Sequence, residues 1–396
     1  MNKNAPNLLK LLQSEPFRFF FPLALIYGSI GVMKWPMMFW IENSSYPGQN
    51  HAFLMTEGFL GGFIVGFALT AIPRLMDSRS NRIGILVLMA ITYIAMNVTL
   101  SHGPVRTGNQ LFLLLMLLLS AQLYLHFRDR KCLPPPGFIL VLPAILCAIS
   151  GAILSLMEWE PDSSAFLIQI RPLLLYQAWP LLPFLGVCPF FLPKFIQEPG
   201  FHDLPDCLHP TPEWMQRAKR ACILALGILG SMVAEAFDFN RCGLLLRGLL
   251  ISWYLSKELP PSLLFFRGNI LVKCISLCLW ALPSAYFLGA LLPEYRIAWV
   301  HWSLVGGLSA LTLTVATRVI LGHSGNIGLL QKKTVWFAVM IALIWVGMVS
   351  RVSGDIWPKI MKSHYIYAAI CWIAAILIWV IKILPKVMVV EEDETK

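Results

Sequence analysis

Apolar positions along the chain gather into long runs separated by short polar stretches. Runs near the roughly twenty-residue length that crosses the hydrocarbon of a bilayer occupy residues 17–40, 51–73, 82–100, 107–127, 137–157, 168–193, 217–237, 241–256, 268–292, 297–322, 333–350 and 364–385. They predict an all-α, polytopic membrane protein with about twelve transmembrane helices. Two runs are weak: 241–256 is short, and 17–40 is broken by Pro36. The longest polar stretch between runs, 194–216, carries Pro199, Pro205, Pro210 and Pro212. It divides a single integral-membrane domain, 1–396, into two six-helix halves, 1–193 and 217–390, a layout found in many secondary transporters. No internal sequence repeat is visible. The tail after Val390 is short and charged and is expected to be disordered.

Composition agrees with the pattern. The chain is 57% hydrophobic and 13% charged, about half the charge of a soluble domain. Lys and Arg then set the orientation. With both termini cytoplasmic, the inner segments hold twenty of these residues, counting Arg18 with the N-terminal arm. The outer loops hold six: Arg106, Arg241, Arg296, Arg351, Lys359 and Lys362. The acidic stretch Glu158-Trp-Glu160-Pro-Asp162 also falls outside. Three of the outer cations lie in a loop at 351–363, which makes the last hairpin the weakest part of the topology. No cleavable signal peptide is apparent, because the first apolar run lacks a small-residue cleavage site. The net charge of +10 reads as topology and contact with anionic lipid, with no nucleic-acid partner. The nine cysteines form no CxxC, and Cys274 and Cys278 lie inside one run, so no disulfide scaffold is expected.

Ionisable groups at membrane depth are costly and are kept mostly where they bind or move something. Residues 301–325, HWSLVGGLSALTLTVATRVILGHSG, carry a histidine near each end and an arginine inside. Ser303, Gly307, Ala310, Thr314 and Thr317 recur at helical spacing and predict one small face. The second run opens at His51 and, on a regular helix, places His51, Met55, Gly58 and Gly62 on one face. That face suits ordinary helix packing, or a flat cofactor beside an imidazole that ligates haem iron or copper, with a thioether favouring Cu(I).

Depth sorts the polar groups. His51, His301, His102 and His364 fall on the outer side. Arg171 and Glu57 are deep, and Glu57 lies roughly 9 Å below His51. They are candidates for an ion pair, and Arg171 alternatively for a carboxylate partner. Arg74, Arg318 and His323 lie near the inner ends of their runs, either as cations reaching the interface or as an inner site. His323 is roughly 33 Å from His301 at the helical rise, too far to share a metal. His202-x4-Cys207-x-His209 offers three ligands where a closed zinc site needs four. Loop 73–82 only weakly resembles the Asp-Arg loop of major-facilitator transporters, lacking its glycines. Phe17–Phe21 and Trp35–Trp40 read as interfacial anchors, and Arg247 has no evident role.

Three stretches together resemble the NnrS family of bacterial membrane proteins: HAFLMTEGFLGGFIVGFALTAIPR, the Pro189-Phe-Phe-Leu-Pro193 turn after Gly186, and residues 301–325. The similarity runs in order along essentially the whole chain. It implies haem b and copper binding in the cytoplasmic membrane and a role in nitric oxide metabolism or nitrosative-stress resistance. His51 matches the first histidine of the family's second-span motif. His301, Arg318 and His323 match its late motif. Many members carry a second histidine and then Glu-Met where this chain has Phe53, Leu54 and Met55, and an arginine at the place of Gly186. Both departures bear on copper, leaving haem alone or Met55 as a soft ligand.

Two other readings stand beside a haem held by His51 and His301. One is a cofactor-free transporter of a small anion, with Arg318, Arg74 and His323 as an inner gate and Glu57 carrying protons. The other is an assembly factor that hands haem or copper to a partner. No nucleophile–base pair stands out, so catalysis, sensing and transport of a small gas share the same residues.

Overall fold

The computed structural model describes residues 8–42, 45–157, 164–196, 208–332 and 335–390. The described residues are helices and connecting turns, with no strand among them. Long helices follow the apolar runs: α1 Phe17–Trp40, α2 Gly48–Leu75, α3 Ile83–His102, α4 Val105–Arg128, α5 Pro136–Leu156 and α6 Ala165–Phe195. They continue with α7 Pro212–Ala236, α8 Asn240–Glu258, α9 Ile270–Leu291, α10 Pro293–His323, α11 Val335–Ile356 and α12 Pro358–Lys386. Ten of them, all but α7 and α8, are long and apolar enough to cross a membrane, and the chain is a multi-pass membrane protein. The 158–162 stretch, His202, Cys207 and the tail after Val390 lie outside the described residues.

α7 and α8 fall short because they carry charge, and that charge holds them together. Near one end Glu258 accepts from Arg217 Nε at 2.8 Å and from Arg220 Nε at 2.5 Å. Further along, Arg247 Nη2 meets Glu235 Oε2 at 2.8 Å with both side chains fully buried. A charge taken from water is tolerated when its partner and its hydrogen bonds come with it.

The expected break at Pro36 does not occur. α1 is continuous from Phe17 to Trp40 with Pro22 and Pro36 inside it. Proline is tolerated in such helices because packed neighbours restrain the chain where a backbone bond is lost. Here Trp35 and Pro36 are themselves buried. The expected outer loop at 351–363 is likewise corrected: α11 runs to Ile356, so Arg351 and Asp355 are helical. Their charges end the apolar run in sequence, but they pair with each other one turn apart and the helix continues.

Three helices occupy the centre. In their most apolar stretches α2, α6 and α10 bury 78%, 83% and 72% of positions, against 33–61% for the other seven apolar helices. Around them α3 packs on α4, α8 on α7 and α9, α11 on α12, and α12 returns to α1. Val87, Ile91, Leu114, Leu117, Leu377 and Ile381 point outward, as lipid-facing side chains do.

Gly186 of α6 meets Gly137, at the start of α5, backbone to backbone. A Cβ on Gly186 would stand 2.5 Å from the Gly137 carbonyl oxygen. Gly186→Ala should therefore cost about 1–3 kcal/mol of stability and lower the midpoint of thermal unfolding in detergent. An unchanged midpoint would contradict the close approach.

Candidate functional site

The central helices widen beside one cavity. α2 becomes π-helical over Leu54–Leu60, α6 over Leu173–Ala178 and α10 over Trp302–Ser309. Such turns add a residue to the helical circuit and occur often at functional sites. Thr56 and Leu60, Tyr176 and Gln177, and Leu304 and Ser309 bring all three segments to a cavity of about 490 Å³. α1, α11 and α12 complete its wall through Trp35, Arg351 and Tyr365.

His51 and His301 both line this cavity, their rings stacked with centroids 6.1 Å apart and planes inclined by 20°. Each Nδ1 is held by a backbone carbonyl: His51 donates to Gly31 O at 2.8 Å, and His301 donates to Ile297 O at 2.8 Å. A carbonyl only accepts, so Nδ1 carries the proton in both rings and Nε2 keeps its lone pair. Met55 lies on the same wall. Trp35 sets its edge against His51 at 5.9 Å and against Tyr365 at 5.0 Å. Arg351 lies 3.7 Å from the Tyr365 ring centroid and pairs with Asp355, which also accepts from the Tyr365 hydroxyl.

A side pocket of about 20 Å³ adjoins the cavity and shares Gln177, Arg296, Val300 and Leu304 with it. Glu235 lines the side pocket, 3.1 Å from Arg296 and 2.8 Å from Arg247. Arg247 also donates to Gln177 Oε1 at 3.1 Å and to Ser231 Oγ at 3.0 Å. The cation without an evident role in the sequence thus braces the π turn of α6.

The scan against known families then decides the assignment. The model described as "NnrS protein" matches residues 11–389. The chain belongs to the NnrS family. No curated protein matches it.

Of the outer and deep residues that the sequence singles out, His51, His301 and Met55 line the cavity. Arg171 and Glu57 do not. Arg171 makes no ion pair with Glu57, whose carboxyl is fully buried with neither oxygen hydrogen-bonded. Phe53, at the place of the family's second histidine, is buried edge-on against Tyr176, with ring centroids 5.6 Å apart.

The faces expected from regular helical spacing shift. Below Met55 the π turn rotates α2, so Gly58 meets Asn97 and Gly62 meets Tyr93 and Ala24. In α10, Gly307 packs on Leu282, and Thr317 receives a hydrogen bond from Trp379 Nε1 at 2.9 Å. These residues serve packing. His364 lies off the cavity wall, its Nδ1 3.2 Å from Ile360 O.

The inner polar group also differs from expectation. Arg74 and His323 converge, but on Glu15, at 2.5 Å and 2.8 Å, where Arg18 joins them at 2.5 Å. Arg18 also donates to Val389 O at 2.8 Å and to Val387 O, tying the chain's two ends together. Arg318 stands apart, 5.5 Å from the Phe195 ring centroid. The expected three-residue inner gate therefore separates into a salt-bridged clasp and an arginine stacked on Phe195. Burial pushes the Glu15 carboxyl up, but His323, Arg18 and Arg74 outweigh it and hold the carboxyl down at about 2. A depressed carboxyl stabilises the fold fully above its usual range near 4.5 and loses that contribution as pH falls toward 2. Glu15→Gln should lower the thermal midpoint at neutral pH, with the gap from the unmodified protein closing between pH about 4.5 and 2. A gap constant over that range would rule the clasp out as a source of stability.

Proposed function

We propose that this protein binds haem b through His51 and His301 in the cytoplasmic membrane of a bacterium, and that it serves nitric oxide metabolism or nitrosative-stress resistance. One observation carries the reading: two imidazoles of fixed tautomer line one cavity with their rings stacked. An imidazole nitrogen bonds a metal at roughly 2 Å. His51 and His301, with ring centroids 6.1 Å apart, would be the residues to hold the metal of one bound group. Among the described residues no three His, Cys, Asp or Glu side chains gather to hold a metal. Two imidazoles suffice only where the other donors come with the cofactor, as they do in haem. The cavity volume lies within the roughly 300–1,000 Å³ of pockets for ligands of that size.

Bound haem would supply an iron redox couple, and a small gas would bind it in exchange for one of the two imidazoles. The chain's part is to hold both Nδ1 protons on carbonyls, keep water out with Trp35 and Trp372, and place Met55 beside His51. Met55 favours a second reading, in which Cu(I) takes the two histidines and the thioether. Because the same imidazoles would serve either metal, the two readings compete for one site.

In the membrane we propose twelve spans, with α7 and α8 crossing as a charge-paired hairpin and both termini cytoplasmic. The clasp around Glu15 then lies on the inner face and the histidine cavity toward the outer face, in keeping with the twenty-to-six distribution of Lys and Arg.

Protein purified in detergent after expression with ample haem should show a Soret band and a reduced-minus-oxidised difference spectrum that shifts with nitric oxide. His51→Ala and His301→Ala should each lose the band, while His364→Ala keeps it. A wild-type protein without a Soret band but with about one copper per chain would favour the copper reading, and one with neither would sink both.

A further inference from the structure

The cavity has a charged end that the histidine pair does not use. Arg351 is 8% exposed and lines the cavity; its Nη1 meets Asp355, but its buried Nε makes no hydrogen bond among the described residues. Its one carboxylate partner, Asp355, is shared with the Tyr365 hydroxyl. Arg296 lines both the cavity and the side pocket, and its partner Glu235 is shared with fully buried Arg247. Arg247, Arg296 and Arg351 thus gather with Glu235 and Asp355, each carboxylate being shared, at one end of a largely apolar cavity. A buried, under-bonded guanidinium is costly unless something completes its hydrogen bonds. Its planar fork matches a carboxylate.

We infer that Arg296 and Arg351 form a carboxylate subsite at the rim of this cavity, and that the cavity takes an amphipathic ligand with a flat apolar body and acidic groups at that end. Trp35, Tyr176 and Trp372 supply apolar walls for the body, and the two arginines orient it. In the haem reading, on which the source of the carboxylates rests, they are the porphyrin's own propionates. The subsite would serve a free carboxylate equally well. Arg171, the partner expected from sequence depth, is not on the wall.

Metal-free protoporphyrin IX separates carboxylate recognition from iron ligation, because it has the acids and no metal. Titrated into full-length protein in detergent and followed by quenching of tryptophan fluorescence, it should bind at least roughly tenfold tighter than its dimethyl ester. Arg351→Gln and Arg296→Gln should each erase most of that preference, and Arg351→Lys should keep part of it. His51→Ala should leave the preference intact while abolishing the Soret band with iron haem. Equal affinity for acid and ester in the wild type, or a preference that survives both glutamine substitutions together, would overturn the subsite. The ester comparison needs no variant, so it stands even if a glutamine variant fails to fold. A wild-type protein that takes up no porphyrin but binds adipate with Arg351 dependence would keep the subsite, assign it to a free anion and defeat the haem reading alone.

Discussion

A helix in hydrocarbon must satisfy nearly all of its backbone amides within itself, because no water is available to do so. This chain makes room for a cavity without breaking that rule. The three π-helical segments keep the backbone bonded while spending one extra residue on a wider circuit. Each widened turn changes the direction of the side chains beyond it. His51 and Thr56 both reach the cavity although regular spacing places them on different faces, and Ser309 reaches it from α10. The Ser309 hydroxyl bonds Leu304 O, five residues back, at 2.7 Å, lending the widened turn a side-chain brace. The central position of α2, α6 and α10 follows from the same arrangement, since only helices surrounded by protein can afford an irregular wall.

Much of this was legible in the residues. Hydropathy placed the long helices, because the bilayer fixes their length and composition. The cost of an imidazole at depth singled out His51 and His301, and the structure brings those rings face to face. What the sequence could not reveal has physical causes too. A π turn leaves no periodicity of its own, so regular spacing groups Gly58 and Gly62 with His51 and leaves packing and cofactor readings open, whereas they serve the contact with α1 and α3. Arg351 was read as loop because a charge normally ends an apolar run. Its i,i+4 partner Asp355 was the available sign that the helix continues. Arg318 and His323 looked like neighbours in sequence, yet His323 turns toward Glu15 while Arg318 lies over Phe195.

The charged helices α7 and α8 extend the same logic from backbone to side chain. Glu258 binds two arginines near one end of the pair, and Arg247 reaches Glu235 farther along. From there Arg247 extends to Gln177, so the hairpin acts on the cavity wall through one side-chain amide. A mechanical link therefore runs from a structural ion pair to the π turn of α6. Phe53 and Gly186, the two departures from the family pattern, show the converse. Each is used for packing here, in contacts that a histidine or an arginine could not reproduce without displacing Tyr176 or the Gly137 backbone.

The clasp around Glu15 has a consequence for how the molecule is made. Arg18 is made about 370 residues before Val387 and Val389, whose carbonyls it binds. The packing of α12 against α1 has the same timing. Throughout synthesis, then, the first helix waits in the bilayer with its final neighbour missing and Arg18 deprived of part of its bonding. The ring of helices closes only after α12 has been made. Insertion of this chain therefore includes a late step, and loss of Val387 and Val389 would leave Arg18 without two of its acceptors.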